Sequence, residues 1–109
     1  RYGTVTGVQT CALPISAAMA RKVIAVSPWD YTAHVRLMVC EEGEKRWQDL
    51  AQHAAEFSAR FPSDATGLVY LARAEAWLGN VRRAQAAYVR VLARYPTHVE
   101  ALSYLKNNP

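Results

Sequence analysis

Pro28, Pro62 and Pro96 stand at intervals of 34 residues. A proline ring fixes its own φ, removes a backbone donor and pushes the preceding residue out of helical angles, so each one marks a break. Self-similarity at such a period calls for a stack of supersecondary units, each burying its apolar face on the next. The same shift aligns Leu37, Leu71 and Leu105, and it pairs Glu41 with Glu75, Asp30 with Asp64, Arg60 with Arg94 and Phe61 with Tyr95. Before the second proline Trp47, Leu50, Ala54, Phe57, Ser58 and Phe61 follow one helical face, and Val81, Ala84, Tyr88, Val91, Leu92 and Tyr95 repeat it before the third.

The 109 residues suit one domain, and with 51% of them hydrophobic a core can be built. No apolar run approaches the roughly 20 residues that a membrane helix needs. A net charge of +4 is too modest for the dense basic stripe of a nucleic-acid binder, so no nucleic-acid partner is expected.

Residues 1–15 stand apart: they carry no acid, contain Pro14 and show no helical period. Residues 5–15 resemble the codon-by-codon translation of a common short-read sequencing adapter; the alternative is a genuine β-hairpin or a linker. Taken as non-native, the segment is set aside from the fold and is expected to contribute nothing to function. Its removal leaves a net charge of +3 on residues 16–109 and Cys40 as the lone cysteine, so no disulfide is expected. The compartment stays open, with cytoplasm favoured over periplasm.

Along the rest of the chain the pattern predicts helices over 16–26, 31–41, 46–61, 65–78, 81–95 and 99–106. Asp30 and Asp64 are the expected caps after the first two breaks, and Thr97 with Glu100 has the spacing of a capping box. Gly79-Asn80 is a helix stop, because both residues tolerate left-handed angles. No stretch alternates as a strand does.

These residues resemble the tetratricopeptide repeat, a family of 34-residue helix-turn-helix units. In residues 65–98, Leu68, Leu71 and Ala72 fall at its large, aliphatic and small positions. Gly79-Asn80 falls at its turn, Ala84 at its second small position, Tyr88 at its aromatic and Pro96 at its closing proline. Residues 31–64 are a more divergent copy, with His34, Met38, Glu41 and Leu50 replacing the usual types. The resemblance implies an all-α, right-handed α-solenoid of antiparallel helix pairs over residues 16–109. It comprises two full repeats (31–64 and 65–98) and two half repeats (16–30 and 99–109), with further repeats expected beyond this segment.

No catalytic, cofactor or metal constellation emerges. His34, His53 and His98 lack the i, i+4 spacing of a helical metal site, Asp49 with Glu56 is an ordinary surface pair, and no phosphate loop or nucleophile elbow is present. No enzymatic activity, cofactor or metal is expected. Arg82, Arg83, Arg90 and Arg94 read as a solvated outer face. The resemblance places a peptide groove on the first helix of each pair: Thr32, Val35, Arg36 and Val39, then Thr66, Val69, Tyr70, Arg73 and Trp77, then Ser103 and Tyr104. Arginine among aromatics suits an extended peptide with acidic and apolar side chains. The implied function is a protein-interaction scaffold. The alternative is a regulatory or localising segment of a larger enzyme.

Overall fold

The computed structural model describes residues 17–109. The segment read as adapter-derived lies outside the described residues. Among the described residues six α-helices account for the regular structure: α1 (Ala17–Val26), α2 (Tyr31–Gly43), α3 (Trp47–Arg60), α4 (Thr66–Trp77), α5 (Val81–Arg94) and α6 (Val99–Asn107). The described residues contain no strand and are all-α, as the period predicts. No described helix is long and apolar enough to cross a membrane.

The helix ends follow local chemistry. Asp30 caps α2, its Oδ1 accepting the Ala33 N–H at 2.9 Å. Asp64 Oδ1 accepts the Thr66 N–H at 2.8 Å, one residue ahead of the N-cap position of α4, which Ala65 occupies without a side-chain bond. At the end of α4 the Asn80 N–H reaches the Glu75 carbonyl at 2.8 Å and Gly79 N–H the Ala76 carbonyl at 3.1 Å, a Schellman stop with Gly79 at φ 83°. The same stop closes α2, where Arg46 N–H reaches Glu41 and Lys45 N–H reaches Glu42, so α2 runs to Gly43, two residues past its predicted end.

The expected cap of α6 is corrected as well. His98, not Thr97, opens α6, its Nδ1 accepting the Ala101 N–H at 3.3 Å. Glu100 does not turn back to complete a capping box, because its carboxylate is held by charge-assisted bonds from α4, which outcompete a bond to one backbone amide.

The described residues form two compact units, divided between Arg46 and Trp47. The division falls in the turn between α2 and α3, the two helices that the sequence pairs as one repeat. In the first unit α1 packs on α2 through Ala17, Ala20, Leu37 and Cys40, with Ile24 at the edge. His34 is buried there and its Nε2–H donates to the Pro28 carbonyl at 2.7 Å, tying α2 to the break before it. Cys40 is fully buried and joined in a disulfide, which corrects the expectation of a lone thiol. The other cysteine of the sequence lies outside the described residues.

In the second unit each helix packs on the next in the chain, α3 on α4, α4 on α5 and α5 on α6. The approach of α3 to α4 is close at Gly67: a Cβ there would lie 2.5 Å from Ser58 Oγ and 2.6 Å from the Phe57 ring. The absent side chain lets Leu50, Ala54 and Phe57 of α3 become fully buried. Leu68 and Ala72 of α4, Ala87, Tyr88 and Val91 of α5 and Ala101 of α6 build the adjoining core. Leu71, expected in the packed stripe, is only half-buried at its margin.

Candidate interaction surfaces

The groove positions of the first unit lie together. Thr32, Val35, Arg36 and Val39, with Tyr31, line a shallow, largely apolar hollow of about 270 Å³ along one face of α2. Their i, i+3, i+4, i+7 spacing is enough to place them there, since that face of α2 is not used against α1.

On α4 the stripe Tyr70, Arg73 and Trp77 is present, but its members are engaged differently. Arg73 forms a bidentate ion pair with Glu100 of α6, Nε to Oε2 at 2.7 Å and Nη2 to Oε1 at 2.8 Å. Its guanidinium also lies 5.3 Å from the centre of the Tyr70 ring. Tyr88 of α5 donates its hydroxyl to Glu100 Oε2 at 2.7 Å and packs its ring on Tyr104, centroids 5.0 Å apart. Arg73, Tyr70, Glu100, Tyr88 and Tyr104 therefore form one polar-aromatic cluster joining three helices. The expectation of Arg73 as a groove cation awaiting an acidic ligand is refined accordingly: its charge is already answered inside the fold.

The electrostatics follow from that geometry. The Arg73 hydrogen bonds hold the Glu100 carboxyl below its ordinary value of 4.5 against the opposing effect of burial, with Tyr88 assisting. Burial, then the bond to the Glu100 carboxylate, pushes the Tyr88 phenol above its ordinary value of 10.0.

Trp77 sits at the far end of the stripe. It stays 70% exposed while stacking on Trp47, with ring centroids 5.2 Å apart and planes 3° from parallel. Thr66 lies at the other end, where Asp64, Val69, Tyr95 and His98 share a small hollow with it. Ser103 is exposed on α6.

Three participants escape the sequence reading: Glu100, assigned to a cap; Tyr88, assigned to packing; and Trp47, assigned to the apolar face of its helix. Only an acid facing the expected stripe from α6 would have signalled Glu100, and that requires knowing how α4 and α6 lie. Among the described residues no group of three His, Cys, Asp or Glu side chains could hold a metal ion. No family model matches the sequence, and neither the curated proteins nor the solved structures give a match.

Proposed function

We propose that this chain is a segment of a tetratricopeptide-like, right-handed helical-repeat scaffold that binds a peptide or partner protein along α4. The repeat reading is supported by the 34-residue period and by the same helix stop recurring at Lys45 and Gly79. The observation that carries the binding role is Trp77. An indole left 70% exposed and stacked flat on Trp47, at the end of the stripe that Tyr70 begins, is more aromatic surface than packing of α4 requires. Aromatic rings bury large area at small cost in side-chain entropy, which is why they anchor interfaces.

In this reading Trp77 with Trp47 takes an apolar anchor of the partner, Tyr70 extends the contact, and the Arg73–Glu100 pair sets the shape between α4 and α6 rather than supplying a free charge. Panning a random peptide library against the intact chain tests it. Sequences enriched on the wild type should be lost with Trp77→Ala plus Tyr70→Ala and retained with Arg82→Glu. Enrichment that survives the aromatic double variant removes the α4 stripe from the binding role.

A further inference from the structure

A second surface lies on a different face of α4. A hollow of about 460 Å³ opens between α3, α4 and α5. On the α3 side it is lined by Gln48, Ala51, Gln52 and Ala55, an i, i+3, i+4, i+7 stripe with alanines alternating with uncharged amides. On the α5 side Arg83, Ala86, Ala87 and Arg90 follow the same spacing, with two alanines between two arginines. Half-buried Leu71, with Leu78, gives the floor an apolar surface. Between them sits Glu75, whose Oε1 accepts the Asn80 Nδ2–H at 2.8 Å.

The α5 stripe is small at its centre and the α3 stripe at every second position, so a further helix can approach along the alanines to the usual 8–10 Å between axes, a distance larger side chains there would prevent. At the exposed rim the charge is one-sided, the acid Glu75 being buried at the floor. Arg83 and Arg90 are exposed and neither is ion-paired among the described residues, and α5 carries no acid anywhere along its length. The α3 stripe is neutral. Seven residues of helix separate the two guanidinium-bearing positions, about 10 Å along the axis.

We propose that this hollow is a helix-docking groove whose partner is an amphipathic helix with a small or apolar seam and two acidic residues seven positions apart along one edge. The acids pair with Arg83 and Arg90, the seam lies on Ala51, Ala55 and Ala86, and Gln48 and Gln52 meet the polar edge opposite. The one-sided charge fixes which edge of the helix faces α5 and so sets its orientation. This surface is separate from the α4 aromatic stripe and does not depend on it.

The test uses fluorescence anisotropy on the full chain with a labelled helical peptide. It carries a Leu/Ala seam and Glu at two edge positions seven apart; its twin has Lys at those positions. The Glu peptide should bind at least about tenfold more tightly than the Lys twin, a gap narrowing with added salt. Arg83→Glu with Arg90→Glu, both on the exposed surface, should invert the preference. Ala86→Trp should abolish capture of either peptide, and Tyr70→Ala with Trp77→Ala should leave capture intact. Circular dichroism checks each variant, and if Ala86→Trp fails to fold the charge-inverted pair still decides. Equal affinity for the two peptides, or an unchanged preference in the inverted variant, overturns the proposal. So does loss of capture through the aromatic variant alone, tighter binding of a single-stranded oligonucleotide, or a groove closed by self-association in sedimentation.

Discussion

Lys45 occupies the left-handed corner that Gly79 holds 34 residues later, with φ 59° against 83°. Both end a helix with the same pair of backbone bonds, Lys45 N–H to Glu42 and Arg46 N–H to Glu41 in one case, Gly79 N–H to Ala76 and Asn80 N–H to Glu75 in the other. A side chain in this conformation crowds the following carbonyl, at a cost of about 1 kcal/mol that glycine escapes.

Lys45→Gly is therefore expected to stabilise the chain by about 0.5–1 kcal/mol, and Gly79→Lys to destabilise it by a similar amount. Urea unfolding followed by circular dichroism reads both. A destabilised Lys45→Gly would mean that the lysine side chain contributes more than its backbone strain costs.

Gly67→Ala should destabilise by about 1–3 kcal/mol, because the new methyl meets Ser58 Oγ and the Phe57 ring where α4 lies against α3. Ser58 Oγ is buried with no hydrogen-bond partner, so Ser58→Ala should be neutral or stabilising. Combined, the two changes should cost less than their sum, since removing Oγ makes room for the methyl. Additivity in that double-mutant cycle would contradict the close approach.

Arg73→Glu should destabilise the second unit by about 1–2 kcal/mol, since it sets two carboxylates side by side; the value is kept small because both partners remain a third exposed. The exchange Arg73→Glu with Glu100→Arg should recover part of the loss. Thermal melts of the three variants give the answer, and a swap no better than the single change would show that position, not charge, matters.

The Glu100 carboxyl has its folded value depressed, so its contribution is present above about pH 4.5 and is lost as pH falls through the folded value. The Tyr88 phenol is raised, so its contribution is present below about pH 10 and fades as pH rises further. Stability measured across pH should show both limbs. Glu100→Gln should flatten the acid limb and Tyr88→Phe the alkaline one; unchanged limbs in these variants would assign the titration elsewhere.

The sequence by itself determined the helices and their punctuation. A helix closes its hydrogen bonds four residues back, its apolar face recurs within two turns, and proline, glycine and capping aspartate act on immediate neighbours. The breaks at Pro28, Pro62 and Pro96, the Asp30 cap and the Gly79 stop were therefore legible from local chemistry, as was the α4 stripe of Tyr70, Arg73 and Trp77. What these side chains do was not. Glu100 has the right spacing for a cap and is drawn instead to Arg73, 27 residues away, because a bidentate ion pair supported by a phenol outweighs one backbone amide. Trp77 finds Trp47, and Gly67 finds Ser58, only once α4 lies on α3. Such partners are separated by tens of residues, and the distance between them is fixed by how helices pack. Tertiary structure alone decided which exposed residues stayed open to a partner and which were already answered within the fold.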